Sequence, residues 1–310
     1  MTNNFKLLIN LHNKPNRLIH SINQLRKVDF TNNIVRIEAC TEEKAKLEMH
    51  KYLSRKAYNN ISNIQSTTII PNYRALACAI SHINCWKLIQ SNFSEGFIIE
   101  DDLEISNPDL FKLDMYYIKK IIKKHNKSNK ALLITFNSKS IMVEEDYYDD
   151  QTIYNLFYDV YNENNYYRNI NKTFCHNISG PIYGTHFYYI NYEMATLLLH
   201  NINELTYQID IEIGLIAKKK SSYGCNIFIN INMEYIKQSK KFKSDIQLYR
   251  ITLCEISSLL NIPEDIARII YDFIPKCLKN IEDKNQLPLI LNNNKNIDLS
   301  SLIYELNYSV

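Results

Sequence analysis

The chain has 310 residues, 45% of them hydrophobic and 22% charged, with a net charge of +3. That length and balance predict one large folded domain with room for a small appendage, and the small charge argues against a nucleic-acid surface. Seven scattered cysteines without a CxxC pair argue against a structural zinc site and for a reducing compartment.

No apolar run reaches the ~18 residues that span a bilayer, so no transmembrane segment is expected. Lys6, Asn10 and His12 interrupt any signal-peptide core at the N-terminus. A soluble, intracellular protein is the expectation. Asn, Ile, Lys and Tyr are abundant. Their codons are AT-rich, which fits a large DNA virus or an AT-rich microbe; a viral origin would put the protein in a host cytoplasm or virion.

Residues 5–11 read as a first strand, running into a polar loop broken by Pro15. A helix follows, with Leu18, Ile22 and Leu25 on one face. Residues 34–39 read as a second strand. Thr41 can cap the next helix, with Lys44 where a capping box would place Glu or Gln. This β-α-β-α opening favours a parallel, doubly wound sheet. Residues 72–89 form a helix carrying Leu76, Ile80, Ile83 and Leu88 at near-helical spacing, with Trp86 beside them.

After a polar loop at 91–95, the run Gly96-Phe97-Ile98-Ile99 reads as a strand buried on both faces, and it ends in Glu100, Asp101 and Asp102. Consecutive carboxylates repel unless a cation sits among them. In open α/β sheets ligands bind beyond the carboxyl ends of strands. The residues alone leave two readings, a metal site or a solvated acidic turn.

Pro108 opens another helix, whose later part is a basic run at 119–130 read as a solvated face. Residues 131–136 are a further buried-type strand. Residues 137–175 are a long polar, tyrosine-rich stretch suited to a substrate lid, with Tyr161, Tyr166 and Tyr167 able to stack on a sugar ring. Gly180 to Gly184 signal a turn. A strand at 185–190 and a helix through Met194, Leu197 and Leu198 follow. Asp210 and Glu212 stand two residues apart in an apolar frame, which suggests a site rather than a surface. Residues 227–231 are strand-like, and 237–246 read as a closing loop. From 248 to 310 the pattern is helical only, with a stripe at Ile266, Ile269, Ile270 and Phe273. That part reads as an appendage that packs on the main domain or makes a homodimer.

In order, several of these segments resemble glycosyltransferase family 25, which includes lipooligosaccharide and collagen β-galactosyltransferases. Ile9-Asn10-Leu11 with Arg17 is similar to its "INL…R" opening, and Cys78 to His82 with Trp86 is similar to its "GCxxSHxxxW" helix. Ile98 to Asp102 resembles "xxEDD". Gly184-Thr185 through Tyr189, with Ala195 to Leu198, resembles "GTxxYxxxxxxAxxLL". Gln238 with Ser244-Asp245-Ile246 is similar to its closing "Q…SDI". The resemblance covers residues 5 to 247. It departs where Arg74, Ala75 and Ala77 stand for the family's Gly-Glu and Gly.

The resemblance implies a GT-A type α/β sandwich over 1–247 and an inverting transfer of a hexose, galactose or glucose, from a UDP-sugar to a glycan or protein hydroxyl. It implies Mn²⁺ or Mg²⁺, with Asp102 as the main ligand and Asp101 and Glu100 as further ligands or ribose contacts. Asp210 is the first candidate for the base and Glu212 the second. Asn10, Leu11, Arg17, Ser81, His82, Gln238, Ser244 and Asp245 would lie along the donor, and His186 would reach the metal or donor. The competing reading is a non-catalytic member that binds or assembles.

Overall fold

The structure is a computed structural model, and it describes residues 5–62, 66, 68–126, 129–136, 175–178, 180–182, 184–220 and 226–239. The expected lid at 137–175 lies almost wholly outside the described residues, and Ser244, Asp245 and the appendage at 248–310 lie outside them altogether.

The opening follows the expected alternation. Strand β1 (Phe5–Asn10) leads to helix α1 (Pro15–Lys27), strand β2 (Ile34–Glu38) and helix α2 (Glu42–Glu48). Pro15 sits in the first turn of α1, where its missing N–H has no helical partner to lose. Thr41 caps α2 by accepting the Lys44 N–H at 3.2 Å. After α3 (Arg55–Ser62), Asn72 caps α4 (Tyr73–Leu88) by accepting the Ala75 N–H at 2.9 Å.

Helix α4 does not stop in a simple loop. It runs into a wide turn, Ile89–Phe93, and strand β3 (Glu95–Glu100) starts one residue after Ser94, which adopts φ 57°. The two acids after β3 form a turn into a short strand β4 (Leu103–Ile105) that local pattern did not announce. Then come α5 (Pro108–His125), β5 (Ala131–Thr135), β6 (Cys175–Asn177), β7 (Phe187–Asn191) and α6 (Tyr192–Asn201). Helix α7 (Ile209–Lys220), β8 (Asn226–Ile231) and β9 (Ile236–Gln238) complete the described elements.

Among the described residues the main sheet has seven strands in the order β2-β1-β3-β7-β5-β8-β6. The expectation of a parallel sheet holds for β2, β1, β3, β5 and β8. It fails for β7, which lies antiparallel between β3 and β5, and for the edge strand β6. The fold is therefore mixed α/β with a mostly parallel central sheet. The expected loop at 237–239 is in part strand, because β9 pairs antiparallel with β4 in a second, two-stranded sheet.

Strand alternation sends the core to both faces. Ile98, Tyr188 and Ile190 pack with α4, α6 and α7 on one side. Phe97, Ile99, Phe187 and Tyr189 pack with α1 and α5 on the other. Phe97, Ile98 and Ile99 have no exposed surface, and each such side chain contributes about 1.5–3 kcal/mol of transfer free energy. In α5 the expected solvated basic face is only half the story, since Ile121 and Ile122 are fully buried beside it. The carboxyl ends of β1 and β3 thus meet at one edge of the sheet, together with the entry to β7.

Candidate active site

At that edge the acids after β3 are held by polar groups from three distant segments. Asn10, the last residue of β1, donates from Nδ2 to Asp101 Oδ2 at 2.7 Å, and its Oδ1 accepts from Arg36 Nε at 3.1 Å. Arg17 of α1 places Nη2 2.7 Å from Asp101 Oδ1 and 3.1 Å from Asp102 Oδ2. Gln238 of β9 donates to Asp102 Oδ2 at 2.6 Å, and the Ser239 N–H donates to the Asp102 carbonyl, also at 2.6 Å. The remaining Asp102 oxygen, Oδ1, is buried without a hydrogen-bond partner.

Burial is the largest influence on Asp102, and the negative charges of Glu100 and Asp101 add to it. Arg17 and Gln238 oppose them, and the carboxyl ends up at about 7. A buried acceptor oxygen facing no donor suits a cation, and an all-oxygen donor pair suits a hard ion such as Mn²⁺ or Mg²⁺.

Glu100 turns to the opposite face. It is the last residue of β3, two positions after Ile98, and so points with Ile98 toward α4. Its Oε1 accepts from Thr185 Oγ1 at 2.9 Å and lies 3.4 Å from His82 Nε2. His82 Nδ1 is 3.0 Å from the Tyr188 hydroxyl, which also accepts from Trp86 Nε1 at 2.8 Å. Burial would raise the Glu100 carboxyl, but His82, His186 and Thr185 outweigh it and hold the group near about 2. The three consecutive acids therefore serve two environments.

Asp210 and Glu212 are also separated. Both lie in the first turn of α7, and two residues of helix rotate by about 200°. Asp210 accepts the Gly184 N–H at Oδ2 and the Ile211 N–H at Oδ1, each at 2.9 Å. Burial raises its carboxyl, those N–H groups oppose the rise, and the charge of Glu100 adds to it. Glu212 instead folds back on the preceding loop, where Oε1 accepts the Thr206 and Tyr207 N–H groups at 2.8 Å each. That carboxylate holds the loop together.

The other expected residues fall in varied places. The Leu11 carbonyl accepts from the Lys14 N–H at 3.0 Å, closing the turn after β1. Ser81 is a packing residue: its Oγ donates to the Ala77 carbonyl at 2.7 Å and accepts the Cys40 N–H at 2.9 Å. His186 pairs through its backbone with Glu100, and its Nε2 is buried without a hydrogen-bond partner. Arg74, at a position where the family motif differs, pairs with Glu42 at 2.9 Å.

Thr185, Tyr188 and Cys78 were not expected at the site. The charges of Glu100, Asp210 and Asp102 all act on the Cys78 thiol, after burial, to push it well above its ordinary value. A four-residue helical spacing from Cys78 to His82 was the available signal for this group.

A mostly parallel α/β sheet flanked by helices, with a carboxylate pair beyond β3, has the layout of a GT-A-like fold. The family model for glycosyltransferase family 25 (LPS biosynthesis protein) matches residues 3–213, and the chain belongs to that family. A nucleotide-sugar donor and an acceptor follow from that membership. A search of curated proteins finds no match to the chain. No helix among the described residues is long and apolar enough to cross a membrane.

Proposed function

We propose that the chain transfers a hexose, galactose or glucose, from a UDP-sugar to a hydroxyl of a glycan or protein, with inversion at the anomeric carbon. The observation that carries this reading is the Asp101–Asp102 pair with its buried, unpartnered Asp102 oxygen. Asp102 and Asp101 would hold Mn²⁺ or Mg²⁺, which when bound supplies Lewis-acid neutralisation of the diphosphate leaving group. Arg17 has a second destination once donor is present, since a guanidinium meets phosphate oxygens in a two-pronged contact. Asn10 orients Asp101 through its Nδ2 hydrogen bond. Gln238 closes over the diphosphate in this scheme.

Asp210 is the acceptor base in this scheme. Its burial and the nearby Glu100 charge both favour taking up a proton, and the two backbone N–H groups fix its orientation. Glu212 is the weaker candidate because its carboxylate turns back onto the Thr206–Tyr207 loop, whereas Asp210 lies within reach of the Glu100 charge. Residues 1–247 carry this chemistry.

The test is UDP release from a panel of UDP-sugars in Mn²⁺, with and without EDTA. Turnover with a galactose or glucose donor, lost with EDTA and in Asp102→Ala, is expected. No turnover and no UDP binding would overturn the reading and leave a non-catalytic binding or assembly role.

A further inference from the structure

We propose that Cys78, His82 and Glu100 form a second metal site, for a borderline transition ion of the zinc class, distinct from the oxygen-only Asp101–Asp102 pair. The three candidate donor atoms lie within 4.8 Å of one another. Cys78 and His82 are four residues apart on α4 and so share one helix face, opposite Glu100 at the end of β3. Sulfur, imidazole nitrogen and a carboxylate oxygen are a zinc-type donor set, whereas a hard ion would choose the neighbouring carboxylates.

The spacing fits. Bonds of about 2.0–2.1 Å to nitrogen and oxygen at a tetrahedral angle put those two atoms roughly 3.3 Å apart. His82 Nε2 and Glu100 Oε1 are 3.4 Å apart. That gap is long for a charge-assisted hydrogen bond, which runs to about 2.7–2.9 Å. His82 has no exposed surface, and its buried Nε2 has no hydrogen-bond partner beyond this long contact to Glu100. The thiol then needs only to close on the other two atoms.

The surroundings match what orients metal ligands. A ligating imidazole needs a partner for its other nitrogen, and a ligating carboxylate needs one for its oxygen. Tyr188 stands 3.0 Å from His82 Nδ1, Trp86 fixes that hydroxyl, and Thr185 donates to Glu100 at 2.9 Å. With Tyr188 accepting from Nδ1–H, the Nε2 lone pair is free for an ion. When Tyr188 donates to Nδ1 instead, Nε2–H faces Glu100 and the site is closed. Loading therefore releases the thiol proton and sets the imidazole tautomer. Three protein donors leave a fourth position, for water.

The full chain, stripped with chelator, is titrated with Co²⁺. The expected result is thiolate-to-cobalt charge-transfer absorption saturating at one equivalent and bleached by Zn²⁺. Cys78→Ser abolishes the band, His82→Gln weakens Co²⁺ binding at least tenfold, and Asp102→Asn leaves the band intact. Alkylation of Cys78 in the unmutated protein, read by peptide mass, slows at least tenfold when Zn²⁺ is present. No band in folded protein, a band unchanged in Cys78→Ser, or unprotected Cys78 would overturn the proposal. UDP binding in Mn²⁺ is measured on the same Cys78→Ser protein, so failure of this site is distinguishable from failure of the donor reading.

Discussion

The Gly184 N–H donates to Asp210 Oδ2 at 2.9 Å, so a glycine turn aims the candidate base. Gly184 sits at φ 91°, a conformation that a β-carbon disfavours. The turn also needs Gly214, because a β-carbon there would overlap the Gly180 carbonyl where α7 packs on the turn. Gly214→Ala should lower stability by about 1–3 kcal/mol, the usual range for overpacking. It should lower kcat more than it weakens UDP binding. By contrast a β-carbon at Gly96 meets the Phe5 carbonyl at 3.3 Å, so Gly96→Ala should be the milder variant by differential scanning calorimetry.

The two acids of α7 should separate cleanly in kinetics. Asp210→Asn keeps an acceptor for Gly184 but removes the proton-taking group. Turnover should fall by roughly 10²–10⁴, the range for losing a general base, with UDP affinity unchanged. Glu212→Gln retains a carbonyl oxygen for Thr206 and Tyr207, so it should stay within threefold of the unmutated rate. Equal losses in both variants, measured as kcat and as UDP affinity, would contradict the division.

Arg17 pairs with two carboxylates that are almost fully shielded from solvent, at side-chain exposures of 8% for Asp101 and 2% for Asp102. Arg17→Ala leaves both without it, and breaking such a buried pair costs about 3–5 kcal/mol. A divalent cation should recover part of that loss. Saturating Mn²⁺, at ~100 times its dissociation constant, adds about 2.7 kcal/mol. Thermal melts should show a larger Mn²⁺-induced rise in Tm for Arg17→Ala than for the unmutated chain. An equal or smaller rise would argue that the ion does not sit between these acids.

A pH effect should come from α5, far from the acids. Burial, and then the charge of Lys130, lower His125 from 6.5 to about 4. The unfolded chain binds that proton more readily than the folded one. The stabilising contribution is therefore complete above about pH 6.5 and is lost as pH falls toward 4. In urea unfolding followed across that window, His125→Gln should flatten the acid loss of stability. The curves above pH 7 should keep a constant separation.

Much of this arrangement is written in local pattern. The β1–α1–β2 opening, α4 and the buried strand before the acids all follow from apolar spacing and capping residues. The gathering of Asn10, Arg17 and Asp102 is legible only through the family resemblance, which sets all three along the donor and its metal. What local pattern hides is register. Nothing in residues 187–191 says that they run antiparallel between β3 and β5. Nothing in Leu103–Ile105 names Ile236–Gln238 as its partner. Glu100 and Asp102 look alike in sequence, yet alternation and the turn send one to His82 and the other to Arg17. Asp210 and Glu212 part because the segment is helical, and an apolar frame alone does not distinguish helix from strand.

The pairing of β4 with β9 has a practical consequence for cutting the gene. The family match ends at residue 213, whereas Gln238 and Ser239 seal Asp102 from beyond that limit. A polypeptide stopped at the match boundary would lack β8 and β9. It would present β5 and β4 as raw edges, ready to stick to other chains. Recombinant work on the catalytic half should therefore place its stop codon well after Ser239.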